Sequence, residues 1–145
     1  MQEKTTRRST PVQKWTDKAE HDFLNIANNL QAHEIPWDTV CFHSQQAAEK
    51  YLKAVLADQG IDPPYTHDLV LLAEMLGDWI PLLAKHRKEL AWLSRLSVEP
   101  RYPEEEDLEI GVREGRKAHR IAGQVKRLCL AHLRSQSKAG KKSKS

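Results

Sequence analysis

Residues 41–56 read Cys41-Phe42-His43-Ser44-Gln45-Gln46-Ala47-Ala48-Glu49-Lys50-Tyr51-Leu52-Lys53-Ala54-Val55-Leu56. Advancing about 100° per residue, this stretch forms a helix with two chemically different sides. Cys41, Ala48, Tyr51, Leu52 and Val55 gather on an apolar side. His43, Gln46, Lys50 and Lys53 fall on the other, at i, i+3, i+7 and i+10. The stripe offers an imidazole, an amide and two ammonium groups with no carboxylate inside it, although Glu49 lies beside it. Such a face can receive a phosphate or a nucleotide. Spacing alone describes a solvated helix face equally well, since lysines are common there.

Working outward, the chain reads as helices and turns. Trp15, Ala19, Phe23, Ile26, Ala27 and Leu30 recur at helical spacing, which predicts a helix over 14–31. Pro36 interrupts the pattern, and Asp38 lies where its charge favours the start of the next helix. That helix is predicted to run to about Gln59 and stop at Gly60. Pro63-Pro64 makes a stiff loop, and Thr66 can cap a short helix through Met75, ending at Gly77. Pro81 opens a further helix whose buried face comprises Leu82, Leu83, Leu90, Trp92, Leu93 and Leu96. Pro100 and Pro103 bracket a turn, after which Glu104 to Asp107 stand at the start of the last helix. No stretch alternates at a period of two for long enough to make a strand. The expected fold is all-α, an up-and-down bundle of four long helices plus a short one.

Length fits one domain with one hydrophobic core. The expected organisation is a flexible basic segment at 1–14, the bundle at 15–134 and a disordered Lys/Ser-rich tail at 135–145. No run approaches eighteen apolar residues, so no membrane-spanning helix is expected. The polar, basic start lacks the apolar segment of a secretory signal. Cys41 and Cys129 fall on apolar helix faces and read as reduced, buried thiols, which places the chain in the cytoplasm as an expectation.

Net charge is +3, but its distribution is uneven. From Trp15 to Ile110 there are eight Lys and Arg against eighteen Asp and Glu, a net of −10. From Gly111 to Arg134 seven basic residues face one acid, a net of +6. An acidic body thus carries a basic last helix. This suits an anionic partner approaching one side, or a basic partner meeting the body.

Several motifs in order carry a family resemblance. Phe42-His43-x-Gln45-Gln46-Ala47-Ala48-Glu49-Lys50-x-Leu52-Lys53-Ala54 resembles the second-helix signature of HEPN domains, the higher eukaryote and prokaryote nucleotide-binding fold. Upstream, Trp15, Ala19, Asp22 and Phe23 match the opening helix of that family. Downstream come Gly60, Pro63-Pro64, Thr66-His67-Asp68-Leu69 and Arg101-Tyr102-Pro103. The resemblance covers residues from about 15 to about 133. It implies that His43, Gln46, Lys50 and Lys53 line a ligand groove for a nucleotide such as ATP or AMP. His67 and Arg101 join that candidate set. His67 otherwise reads as completing a cap, and Arg101 as a structural partner of the nearby acids. As a phosphate ligand, Arg101 would bind bidentately, as lysine cannot. Tyr102 reads as packing. The resemblance also implies a homodimer and a small nucleotidyltransferase as partner.

On the last helix, Arg113, Arg116, Lys117, Arg120 and Arg127 line one face and are candidates for contacts to an RNA backbone. No aromatic side chains interleave with them, so base stacking is not indicated there. Many HEPN proteins are metal-independent ribonucleases built on Arg, four to six residues, then His. Arg113 with His119 and Arg127 with His132 satisfy that count. On a straight helix, however, the members of each pair lie about 120° and 140° apart. The nuclease motif reads as absent or degenerate, and no catalytic residue is assigned. No Gly-rich phosphate loop, Cys-x-x-Cys or His-Glu-x-x-His motif is present, and no metal site is expected. The Glu104–Asp107 run reads as a solvated helix start. The expected function is a nucleotide- or RNA-binding protein, the non-catalytic partner of a nucleotidyltransferase in a two-component or toxin–antitoxin-like module. The alternatives are an RNA-cleaving toxin and a protein-interaction module without a ligand.

Overall fold

The computed structural model describes residues 10–97 and 110–144, with side chains to residue 137. All regular structure in the described residues is helical. Helix α1 spans Pro11–Leu30. It starts three residues before the expected boundary because Thr10 caps it, its Oγ1 accepting from the Gln13 N–H at 3.0 Å. Pro11 occupies the first turn, where its missing N–H costs nothing. The basic segment expected at 1–14 therefore gives up residues 11–14 to this helix.

Helix α2 spans Trp37–Asp58 and stops as the sequence predicts. Gly60 adopts φ +75°, a left-handed conformation open to glycine at no steric cost. The Ile61 N–H then reaches the Leu56 carbonyl at 2.9 Å and the Gly60 N–H reaches that of Ala57 at 3.0 Å, closing the helix end. Helix α3, Leu69–Met75, is capped by Asp68 and not by Thr66. Asp68 Oδ1 accepts from the Val70 and Leu71 N–H groups, while Thr66 Oγ1 takes the N–H of Asp68 itself. Thr66 thus positions the capping residue.

The helix expected from Pro81 has two parts, a 3₁₀ segment at Pro81–His86 and α4 at Arg87–Ser94. Three residues per turn bring Ile80 and Leu83 to the core together. The same tightening turns Leu82 outward, half exposed, against the sequence expectation. Helix α5 spans Val112–Lys144, with Glu114 Oε1 accepting from the Gly111 N–H at 2.9 Å across its first turn. It continues through 135–144, where composition predicts a disordered tail. Glu104–Asp107 and Arg101-Tyr102-Pro103 lie outside the described residues.

Helix α2 is the centre of the molecule and packs most extensively on α1 and α5. Tyr51, Leu52, Val55 and Leu56 sit in its core with Leu69, Leu72, Leu83, Leu90, Leu93 and Ile121. Burying each such leucine stabilises the fold by roughly 1.5–3 kcal/mol. Helices α1 and α2 run in opposite directions, so Trp15 lies by Lys53 and Asp22 by His43. Asp22 of α1 and His67 of the 60–68 turn flank the polar stripe of α2, which stays partly open to solvent at His43, Gln46 and Lys50.

Candidate functional site

The candidate cleft along this stripe is built on two buried carboxylates. Asp22 of α1 is 5% exposed and Glu49 of α2 is 4% exposed. Each bridges one histidine and one lysine. Asp22 Oδ1 lies 2.7 Å from His43 Nδ1, and its Oδ2 accepts from Lys50 Nζ at 2.6 Å. Glu49 Oε1 lies 2.8 Å from His67 Nδ1, and its Oε2 accepts from Lys53 Nζ at 2.9 Å. A carboxylate is an acceptor, so both imidazoles donate through Nδ1. In the neutral ring this leaves the lone pair on Nε2, on the side away from the carboxylate.

The glutamines tie the units together. Gln45, wholly buried, donates through Nε2 to Glu49 Oε1 at 3.2 Å and to the His67 carbonyl at 3.1 Å. Gln46, half-buried, donates to Gln45 Oε1 at 2.7 Å. His67, from the turn before α3, is therefore anchored by ring and backbone to α2. It does not complete a cap; Asp68 does that.

The sequence-predicted set comes together in part. His43, Gln46, Lys50 and Lys53 share one face of α2 and His67 joins them. The stripe is not carboxylate-free, as its spacing implies. Asp22 enters from α1, and Glu49 supplies the second anion. Each ammonium group is matched by a carboxylate, so the face presents an ordered row of hydrogen-bonding groups. Lys53 is buried, not solvated. An ammonium can be withdrawn from water in this way only beside an anion, and Glu49 one turn before it has the favourable helical order. Arg101 lies outside the described residues.

Two residues that build the site were named from sequence only as motif positions and not as site residues. Asp22 was visible only as part of a motif, although Ala19, Asp22 and Ile26 share the buried face of α1. An acid on an apolar stripe signals a buried ion pair. Gln45 gave no such signal.

The basic face of α5 is largely occupied within the chain. Arg120 pairs with Glu89 at 2.9 Å, Lys117 Nζ lies 4.2 Å from the centre of the Trp92 ring, and the Arg116 guanidinium is 6.0 Å from that of Trp37. Arg113 and Arg127 are exposed. Lys126 pairs with Glu20 at 2.8 Å. Burial pushes the Glu20 carboxyl up, but hydrogen bonds from Lys126 and Tyr51 outweigh it and hold the group below its usual range.

Neither arginine–histidine pair converges. The His119 ring lies half-buried near Phe23, centroids 6.4 Å apart, while Arg113 faces solvent. Burial lowers the His119 pKa. His132 Nε2 meets Gln59 Nε2 at 2.9 Å. Cys41 and Cys129 are buried, free thiols. Burial, with Glu114 and Asp38 nearby, pushes Cys41 up to about 12, and burial raises Cys129 as well. Among the described residues no three His, Cys, Asp or Glu groups are placed to hold a metal ion. No helix among them is long and apolar enough to cross a membrane.

A family model for the HEPN domain matches residues 12–134. No curated protein matches the chain. No solved structure matches it either.

Proposed function

The chain belongs to the HEPN domain family, and we propose on that footing that it captures a nucleotide or RNA in the cleft floored by α2. HEPN membership itself points to a nucleotide- or RNA-related function. The observation that carries the cleft is the repeated unit of carboxylate, imidazole and ammonium along one face. Each unit fixes a histidine tautomer and leaves Nε2 for a ligand, with Gln46 between the units. A row of paired donors and acceptors reads hydroxyls and base edges, and it draws less on phosphate charge than an unpaired lysine stripe would.

The role proposed is binding without catalysis. Among the described residues Arg113 and His119 diverge, and His132 turns to Gln59 while Arg127 is exposed. A small nucleotidyltransferase would then supply catalysis, with this chain, as a homodimer, supplying capture or regulation.

Calorimetry with ATP, AMP and a short RNA at two salt concentrations tests the reading. A saturable nucleotide isotherm with weak salt dependence is the expected result. It should weaken on changing His67→Ala, since this side chain is 62% exposed and its loss spares the core. Binding of RNA alone, fading steeply with salt, would move the site to the exposed arginines of α5. Absence of binding to all three would overturn the reading and leave a protein partner as the ligand.

A further inference from the structure

At the Lys53 end of the stripe lies a groove of about 560 Å³. Trp15 and Lys18 of α1 form one wall, Lys53 lies at the inner end, and Pro63, Pro64 and Tyr65 form the other wall. Two features there are unexplained by folding. Tyr65 is fully exposed, although two prolines directly before it restrict the backbone that carries it. Trp15 has two ammonium groups near its ring, Lys18 Nζ at 5.7 Å and Lys53 Nζ at 5.5 Å from the centroid. Lys53, buried by its pairing with Glu49 at 2.9 Å, also lines the groove.

These features select among ligands. A proline-rich peptide would use the aromatic walls and leave the ammonium groups idle. An acidic peptide would use the lysines and leave a solvent-facing tyrosine idle. A planar ring that carries a phosphate uses both, and Asp62 on the turn adds a counter-charge that disfavours a polyanion lying along the whole groove. Base-on-aromatic stacking tolerates any base, because each has a π-face.

We propose that this groove is a subsite for a planar aromatic phosphate, with the ring stacked on Tyr65 and the phosphate between Lys18 and Lys53. In a nucleotide these groups are the base and its 5′-phosphate. The subsite deepens the reading given above and rests on it. Lys53, shared by groove and cleft, joins the two.

Titrations of the full chain with AMP, adenosine, inorganic pyrophosphate, 1-naphthyl phosphate and a 5′-phosphorylated RNA tetramer test it. Tyr65→Ser and Lys18→Ala alter exposed side chains, so both variants should fold, as circular dichroism can verify. Tyr65→Ser should weaken AMP and 1-naphthyl phosphate by about tenfold and leave pyrophosphate unchanged. Lys18→Ala should weaken all three and leave adenosine alone. AMP affinity untouched by either change would overturn the subsite while the cleft reading stands. Tyr65-dependent binding of 1-naphthyl phosphate without AMP or RNA would keep the groove and overturn the nucleotide reading. Binding of the RNA tetramer without AMP supports the subsite, with the phosphate that of an RNA 5′ end, where Tyr65→Ser weakens it about tenfold, and overturns the subsite where Tyr65→Ser leaves it unchanged. No binding of any probe overturns both.

Discussion

Asp22 stands where the period of α1 calls for an apolar side chain, and its partners explain why it is tolerated. A carboxylate that is 5% exposed must find its hydrogen bonds inside the protein. His43 and Lys50 provide them from α2. Asp22→Asn keeps the size and removes the charge, stranding Lys50; the expected loss is about 2 kcal/mol, read as a lower urea midpoint at constant slope. The double change Asp22→Leu with Lys50→Met removes both charges and should recover most of that loss, because the pair must offset its own desolvation. If the cleft binds nucleotide, the recovered protein should still fail to bind it. At this scale the site was half legible. Spacing on α2 puts His43, Gln46, Lys50 and Lys53 on one face, since a helix fixes its own angles. It holds no information about which neighbour delivers an anion, so Asp22 and the anchoring of His67 by Glu49 emerge only from packing. Likewise Tyr65 and Trp15 lie fifty residues apart in sequence, and only the antiparallel course of the first two helices brings their ends together.

Helix boundaries were legible wherever a local signal ends the helix. Gly60 stops α2 by its left-handed backbone, and a bulkier residue there would be strained. Thr66 and Asp68 show how two good caps two residues apart defeat a sequence reading. Asp68→Ala should cost about 1 kcal/mol in thermal or urea unfolding and Thr66→Ala distinctly less; the reverse order would put the cap back on Thr66. Where helices meet, local signals fail. Gly115 lies inside α5 against the indole of Trp37, and a Cβ there would overlap Trp37 Cε3. Helix propensity alone favours Gly115→Ala by about 1 kcal/mol. Overpacking against a ring costs about 1–3 kcal/mol. The substitution should therefore be neutral to destabilising, and a raised melting temperature would mean that the indole retreats freely. The split of Pro81–Ser94 into a 3₁₀ segment and α4 has the same origin. Four leucines could be buried in more than one register, and the core chose the one that leaves Leu82 outside.

Across the whole molecule, the opposition between an acidic body and a basic last helix was plain in the sequence, but its use was not. Helix α5 turns Lys126 to Glu20, Arg120 to Glu89 and Lys117 to Trp92, so much of its charge holds the bundle together. This internal use has a pH signature whose sign follows from the carboxyls. Hydrogen bonds from His86, and then Arg120, keep Glu89 below its ordinary value of 4.5 despite partial burial. Glu114 is lowered chiefly by the Gly111 N–H, and Glu20 by Lys126 and Tyr51 against the upward push of burial. As pH falls below the ordinary carboxyl value, the unfolded chain takes up protons first, so stability present above it is lost through the folded values. His119 adds an earlier step. Burial lowers its pKa from 6.5, the unfolded imidazole protonates first, and stability starts to fall once pH drops through that value. Melting temperature against pH should thus decline gently below about 6.5 and steeply below about 4.5. His119→Phe, which places a second ring near Phe23, should flatten the first step and spare the second. Glu20→Gln combined with Glu89→Gln should do the reverse. Added salt should shrink the acid step, since these pairs are partly exposed and screened. An unchanged slope between pH 6.5 and 5 in the His119 variant would assign that step to another group and leave the carboxylate pairs of α5 as its only identified pH-sensitive contacts.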